Sequence, residues 1–101
     1  MSTLILAGSI RVPADRMADF RPHVAVMVAA SQAEPGCIAY AQSESVSDPG
    51  LIHIFEHFES EEALAFHRAS PHMAAWRALW PQFEVGGRDM RSYDVSDFRQ
   101  I

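Results

Sequence analysis

Three polar residues in the middle of the sequence have side chains that can move a proton or orient a small molecule: Tyr40, Glu56 and His67. His67 is a candidate general base, because an imidazole with an unperturbed pKa of about 6.5 needs little adjustment to accept a proton near neutral pH. Tyr40 is a candidate for orienting a ligand oxygen. Glu56 is expected either to hold one tautomer of His67 or to act as the base itself, if burial raises its pKa.

Each of these residues also has a structural explanation, which the sequence leaves open. An inward histidine near a helix end often hydrogen-bonds a backbone carbonyl, and a tyrosine is often a core residue with its hydroxyl at the edge. A buried Glu56 would need a partner, and Arg88 or Arg91 on the last predicted strand would supply a structural ion pair.

Tyr40 and Glu56 lie on a predicted β-hairpin. Residues Cys37–Val46 and Leu51–Glu59 alternate as strands do, and a Ser-Asp-Pro-Gly turn separates them. One face carries the even-numbered residues, Ile38 and Tyr40 on the first strand and Ile52, Ile54, Glu56 and Phe58 on the second. If even positions pair with even positions, Tyr40 lies beside or opposite Glu56, whereas a shift of one residue would separate them.

A helix is expected to follow the hairpin and to carry His67. Ser60 is a typical N-cap, and two glutamates occupy the first turn after it. His67 falls on the same helical face as Leu64, so it is expected to point inward. Ser70 and Pro71 end this helix and begin another, whose apolar residues recur at helical spacing: Met73, Trp76, Leu79, Trp80 and Phe83.

The remaining residues supply the other elements of the fold. Thr3–Val12 is a short apolar strand, and a helix is expected from Pro13 to about Ser31–Glu34. A pair of glycines ends the second helical unit, and Arg88–Phe98 is the predicted last strand. The order strand, helix, strand, strand, helix pair, strand predicts an α+β, ferredoxin-like split βαβ fold, with helices on one face of a four-stranded antiparallel sheet.

The other face of this sheet would be exposed in a single chain. It carries the odd-numbered residues of the hairpin, Ala39, Ala41, His53, Phe55 and His57, a set too apolar to be left in water. We therefore expect a homodimer in which two such faces pack together. His53 and His57 would then lie at the interface, where they would make association sensitive to mildly acidic pH. A metal held by these two histidines with His67 or His72 is not expected, because His67 covers the opposite face.

Length and composition predict one domain, residues 1–101, of ordinary globular type, with 49% hydrophobic and 21% charged residues. The net charge of −5 and the lack of a basic run argue against binding to nucleic acid or to an anionic membrane. Cys37 is the only cysteine, so no intrachain disulfide can form. The apolar run from Leu4 to Gly8 is too short for a signal peptide or a membrane span, and the cytoplasm is the expected compartment.

Several short motifs follow one another at defined spacing: Glu34-Pro35-Gly36-Cys37 with Tyr40, Asp48-Pro49, Phe55-Glu56-x-Phe58, and Ser60-x-Glu62-Ala63-Leu64-x-x-His67-x-x-Ser70-Pro71-His72. Together they resemble the antibiotic biosynthesis monooxygenase (ABM) family, which includes small quinol monooxygenases. The resemblance implies a homodimeric α+β barrel with a pocket between sheet and helices in each subunit. For several members it also implies oxidation of electron-rich polycyclic or quinol-type aromatics by O₂ without a cofactor.

The family also includes an isomerase of a phosphorylated sugar-like signal, haem-degrading enzymes and many members without known activity. This sequence departs from several of these branches. Phe58 replaces a tryptophan that is often found there, and Ile54 stands where an anthrone-oxidising member would have a polar amide. The haem-degrading branch uses an asparagine on the first strand, where this chain offers Gly8 and Ser9, so haem is not expected.

The resemblance makes His67, Glu56 and Tyr40 the predicted catalytic residues. A cofactor-free oxygenase must deprotonate its substrate and keep water from the radical pair, so it needs a base, one or two hydrogen-bond partners and apolar walls. The predicted substrate-binding residues are Phe58, Leu64, Trp76, Ile54 and His72. No cofactor or metal is expected, and the predicted function is a cofactor-independent monooxygenase of small aromatic substrates. A stress-associated or ligand-binding dimer without turnover and an isomerase that uses Glu56 and His67 remain alternatives.

Overall fold

The sheet consists of four antiparallel strands whose alternate side chains face three helices. The computed structural model describes residues 2–101. In chain order the elements are β1 (Thr3–Arg11), a 3-10 turn (Ala14–Arg16), α1 (Met17–Gln32), β2 (Cys37–Glu44), β3 (Leu51–Phe58), α2 (Glu61–Arg68), α3 (Pro71–Leu79) and β4 (Gly86–Val95). The strand order β2-β3-β1-β4 is that of the ferredoxin-like fold. The predicted fold class is thereby confirmed.

The core lies between the even-numbered side chains of the central strands and the helices. The register places Ile10 of β1 opposite Ile52 of β3, so both point to the same side. Phe20 and Met27 of α1 pack onto them, and all four are at most 2% exposed. Burying side chains of this size stabilises the fold by about 1.5–3 kcal/mol each. Among the helices within residues 2–101, none is long and apolar enough to cross a membrane.

The helix boundaries follow local capping rules. The hydroxyl oxygen of Ser60 accepts the N–H of Ala63, and that of Ser70 accepts the N–H of Met73, as N-caps do. At α1 the predicted start was wrong, because Pro13 has an extended backbone and is the N-cap of the 3-10 turn that comes first. The α-helix itself begins at Met17 and ends, as expected, at Gln32.

The predicted alternation was wrong at the beginning of β2. Cys37 pairs with Phe58 but Ala39 pairs with His57, so the strand contains one extra residue there. This β-bulge turns Cys37 toward the core and leaves Ile38 unpaired and 40% exposed. From Ala39 onward the predicted alternation holds.

The last strand begins earlier than predicted, at Gly86 instead of Arg88, and ends at Val95 instead of Phe98. Glycine at position 8 allows β1 and β4 to approach closely, because a Cβ there would lie 1.9 Å from the carbonyl oxygen of Asp89. After β4, the ring of Phe98 packs edge-on against His57 with centroids 4.6 Å apart.

Candidate active site between the sheet and the helices

The hairpin register brings Tyr40 directly opposite Glu56 on the face that carries the helices. A cavity of about 50 Å³ lies between this face and helices α2 and α3. Six of the eight residues predicted for the site line it: Tyr40, Ile54, Glu56, Leu64, His67 and Trp76. Phe58 and His72 do not line it.

Phe58 lies behind the predicted base instead of forming a wall of the cavity. Its side chain is 0% exposed, and its ring centroid lies 5.1 Å from that of His67. The ring of Tyr40 is 5.6 Å from the imidazole. Because aromatic contacts of this kind restrict rotation, Phe58 and Tyr40 hold the plane of the His67 ring.

Glu34 is the principal partner of His67, and sequence reasoning missed it. Nδ1 of His67 lies 2.9 Å from Oε2 and 3.0 Å from Oε1 of Glu34, and both side chains are at most 3% exposed. The carboxylate can only accept, so Nδ1 donates its hydrogen to Glu34. The sequence predicts Glu56 in this role, and that prediction is wrong, because the partner of Nδ1 is Glu34. The available signal was the acidic residue of the Glu-Pro-Gly-Cys motif, which was interpreted only as part of a turn.

With Nδ1 donating, Nε2 of a neutral His67 carries the lone pair. This nitrogen is buried without a hydrogen-bond partner and lies 3.5 Å from Oε1 of Glu56. A buried, unpartnered nitrogen at a cavity is available to accept a proton from a bound molecule. Glu34 therefore sets the tautomer that the proposed general base requires.

The turn before β2 positions Glu34 over α2. Gly36 has φ +82°, and a Cβ there would lie 2.6 Å from the Cβ of Ala63, so glycine allows the turn to pack against the first turn of α2. The carbonyl of Gly36 also accepts the N–H of Glu59 at 2.8 Å. These contacts join the turn to the end of β3 and the start of the helix that carries His67.

His72 contacts the same carboxylate from the outside. Its Nε2 hydrogen-bonds Oε2 of Glu34, and its side chain is 21% exposed. One buried carboxylate thus connects two imidazoles. Glu34, His67 and His72 are the described side chains whose types and spacing could hold a divalent metal, with ligand-type atoms within 4.8 Å of one another.

The carboxyl of Glu56 binds its proton more tightly than an ordinary glutamate does. Burial is the main cause that raises the pKa of its carboxyl from 4.5 to about 7, and the charge of Glu34 adds to the rise. Three arginines oppose it: Arg68, Arg88 and Arg77. Within residues 2–101 neither Arg88 nor Arg91 approaches Glu56 to ion-pair distance, so the structural salt bridge considered from sequence does not form.

Tyr40 is a neutral hydrogen-bonding group. Burial, followed by the nearby charge of Glu56, raises the pKa of its phenol far above the usual range. The Tyr40 oxygen accepts the amide N–H of Gln42 at 3.1 Å, which leaves its own O–H to donate. The cavity therefore combines one phenol donor, one imidazole nitrogen without a partner and one carboxyl whose pKa is raised toward neutrality.

A family model of antibiotic biosynthesis monooxygenases matches residues 3–79, which include all residues that line the cavity except Trp80, Arg88 and Met90. The chain belongs to the antibiotic biosynthesis monooxygenase family. The uncharacterized protein sll1783 of Synechocystis is 23% identical over 98 residues, which are 97% of this chain. The putative monooxygenase Rv0793 of Mycobacterium tuberculosis is 38% identical over 64 residues, 63% of the chain. These alignments span 67% and 62% of the two relatives' own lengths.

Solved structures of ABM proteins have the same fold. A putative antibiotic biosynthesis monooxygenase from Deinococcus radiodurans superposes with a TM-score of 0.88 at 26% identity, covering 97% of each chain. The structure of Rv0793 superposes with a TM-score of 0.75 at 25% identity and covers 99% of this chain and 98% of that one. The resemblance noted from the short motifs is thereby confirmed for the family and the fold.

Proposed function

We propose that this protein is a monooxygenase that oxidises small quinol-like or polycyclic phenols with O₂ without a bound cofactor. Family membership and the names of its relatives support a general monooxygenase-like function. The observation that carries the specific proposal is the state of Nε2 of His67. This nitrogen is buried without a hydrogen-bond partner, and Glu34 sets the tautomer of the imidazole by accepting from Nδ1. A nitrogen of this kind on a residue that lines the cavity supports a role in taking a proton from a bound molecule.

The proposed reaction begins with proton transfer from a phenolic O–H of the substrate to Nε2 of His67. The phenolate gives one electron to O₂, and the semiquinone radical and superoxide combine into a ring-bound peroxide. Once protonated, the peroxide loses water by cleavage of its O–O bond, and one oxygen atom stays on the ring. A hydroquinone and O₂ thus become a hydroxyquinone and water, with atoms and electrons balanced. Tyr40 donates a hydrogen bond to a ring oxygen, and burial limits access of water to the radicals.

Substrate entry requires a small opening of the cavity. Its volume is about 50 Å³, whereas a cavity of about 150 Å³ accommodates benzene. A surface groove of about 350 Å³ adjoins it, and both are lined by Arg68, Met73 and Arg77. Because methionine and arginine side chains are flexible, rotation of Met73 and Arg77 would join groove and cavity without moving the sheet.

Oxygen uptake tests the proposal directly. Metal-stripped, flavin-free protein is mixed with a panel of hydroquinones and an anthrone, and O₂ consumption is compared with autoxidation in buffer. We expect uptake above autoxidation, one O₂ consumed per product, and no change on addition of catalase because water is the by-product. A folded protein that consumes no O₂ with any of these substrates would contradict the oxygenase.

An isomerase is the second candidate, and one distance favours it. Nε2 of His67 and Oε1 of Glu56 lie 3.5 Å apart, so one group can remove a proton while the other returns it to a neighbouring atom. Product formation without O₂ uptake would identify this reaction. Specific binding without any product would identify a ligand-binding protein.

We also propose that two chains associate through the sheet face that lacks helices. Phe55 and Tyr93 are 41% and 46% exposed on it, and they are the large apolar side chains that association would bury. His53 is exposed there, whereas His57 is 5% exposed because Thr3 and Phe98 cover it. A second chain on this face would therefore contact His53, whereas His57 is already covered by its own chain.

The double change Phe55→Asp and Tyr93→Asp is expected to convert the dimer into monomers, because association would bury two carboxylates without partners. Sedimentation velocity over a concentration series measures the effect. The matched control is Val46→Asp. Val46 is fully exposed in the β2–β3 turn, so this change adds the same type of charge away from the sheet face. A parent chain that sediments as a monomer at all concentrations would contradict the proposal.

A further inference from the structure

Three arginines from three different elements surround the opening of the cavity. Arg68 ends α2, Arg77 lies in the last turn of α3, and Arg88 lies near the start of β4. All three line the cavity together with Glu56 and His67. Their convergence therefore depends on the tertiary fold and not on one basic segment of the sequence.

These arginines lack acidic partners, in contrast to others on the molecule. Arg11 pairs with Asp48 at 2.7 Å and Arg21 with Glu44 at 2.7 Å. Within residues 2–101, none of the three arginines at the opening has a carboxylate at ion-pair distance; only the face of Trp80, 5.0 Å from the guanidinium of Arg77, is a close partner. On a chain with a net charge of −5, three of eight arginines thus stand unneutralised around one opening.

Their positive field reaches the interior of the cavity. Each of the three lowers the pKa of the Glu56 carboxyl, although burial outweighs them. The groove outside the cavity is lined by Arg68 and Arg77 as well. A bound molecule would therefore meet guanidinium groups before its inner end reaches His67. Clustered charge of one sign in a concave surface attracts ligands of the opposite sign.

We propose that the ligand of this site carries a carboxylate or phosphate group, which Arg68, Arg77 and Arg88 bind at the opening while the rest of the molecule enters the cavity. Guanidinium groups suit this role, because their paired N–H donors match two oxygens of a carboxylate or phosphate. The identity of the inner part as an oxidisable ring rests on the proposed function. The anion preference does not, since it follows from the arginines alone.

Binding of matched probes tests the anion preference without any turnover. Benzoate, phenyl phosphate and the uncharged benzamide are titrated into the protein by calorimetry or by NMR at low salt. We expect at least one of the anions to bind ten times more tightly than benzamide or better, and added salt to reduce this preference. Whichever of the two anions binds more tightly shows whether the site recognises a phosphate or a carboxylate. Equal affinity for all three probes would overturn the proposal.

Two double variants with the same net charge test whether the preference for anions comes from the arginines at the opening. Arg77→Gln with Arg88→Gln is expected to bring the anion and amide affinities within twofold of each other. Arg11→Gln with Arg21→Gln changes the charge equally at exposed pairs elsewhere and is expected to preserve the preference. Arg68 is left in place because it directly follows His67. If the first pair perturbs the fold, Arg88→Gln alone still removes one charge from an exposed strand position. An equal loss of preference in both double variants would overturn the assignment.

The same probes separate this inference from the proposed reaction. Oxygen uptake with 2,5-dihydroxybenzoate and with 2,5-dihydroxybenzamide compares two quinols of similar shape, one with a carboxylate and one with its uncharged amide. Equal kcat/KM for the two would preserve the oxygenase and overturn the anion preference. An anion preference in binding, with no uptake from either quinol, would preserve this inference and contradict the oxygenase.

Discussion

The change His67→Asn is expected to lower kcat/KM for oxygen uptake by about a hundredfold or more, which is the range that general bases contribute. Asparagine retains an N–H donor close to the position of Nδ1, so Glu34 keeps a partner, but it has no atom that replaces Nε2. The buried carboxylate therefore stays satisfied while the proton acceptor is lost. This distinguishes asparagine from alanine, which would leave Glu34 with one partner fewer and reduce stability as well.

Steady-state oxygen uptake, with urea unfolding of the same samples, measures both consequences. His23→Asn is the matched control: this histidine packs against Phe83 and does not line the cavity, so its variant should retain the parent rate. A loss smaller than about threefold in His67→Asn, in a folded protein, would transfer the role of base to Glu56.

The second large effect concerns stability and pH. Because the pKa of Glu56 is raised to about 7 by burial, the folded chain binds this proton more tightly than the unfolded chain, in which the pKa is near 4.5. Burial of Glu56 destabilises the folded chain only when the carboxyl is ionised. This loss of stability is absent below the pKa of the carboxyl in the unfolded chain and complete above its pKa in the folded chain. The full penalty is about 3 kcal/mol, from the size of the shift. Stability of the parent relative to Glu56→Gln is expected to fall by about 2 kcal/mol between about pH 5.5 and 8.

The groups that face Glu56 also decide how the experiment is interpreted. They are Tyr40 on β2, Arg68 and His67 on α2, Arg77 on α3, Arg88 on β4, and Glu34 in the turn before β2. Because Nε2 of His67 lies 3.5 Å from Oε1 of Glu56, the comparison is repeated in the His67→Asn background to isolate the contribution of the carboxyl.

Urea unfolding at several pH values measures the difference between parent and variant. Glu44→Gln is the control, because the Arg21 guanidinium lowers the pKa of that carboxyl and its contribution is therefore constant above about pH 5.5. A parent and a Glu56→Gln variant whose difference does not change with pH would show that Glu56 remains ionised in the folded state.

The protonation state of Glu56 decides which of the two candidate reactions the site can support. Ionised Glu56 stabilises a protonated His67, whereas protonated Glu56 can return a proton to a reaction product. The proposed oxygenase requires only the first of these states, and the isomerase requires both. A rate that falls as pH rises through about 7 would therefore favour the isomerase, since the protonated carboxyl is lost there.

Local rules were sufficient for most of the secondary structure and for part of the site. Capping by Ser60 and Ser70 depends on residues three positions away, and the hairpin register depends on one short turn, so both could be predicted. The same period of two residues placed Tyr40 opposite Glu56. Helical spacing placed His67 and Leu64 on one face, and the structure has both at the cavity.

The predictions that were wrong share a different physical cause. The bulge at Ile38 and the 3-10 turn after Pro13 are small backbone adjustments that tertiary packing selects among local options of similar energy. Phe58 lies on the correct face but behind His67, because facing a sheet side does not determine which side chain is nearest the opening. The volume of the cavity depends on how α3 packs, which no local pattern specifies.

The sequence alone determined the order of the elements, the sheet face of the hairpin residues from Ala39 onward and the family resemblance, because these depend on spacings of two to four residues and on turn residues. Only the tertiary structure decided that Glu34 holds His67, that Glu56 has no arginine at ion-pair distance within the described residues, and that three arginines meet at one opening. Glu34 and His67 are 33 positions apart in the sequence. Their contact exists because Gly36 lets a turn pack on α2, and such long-range contacts arise from packing and not from periodicity.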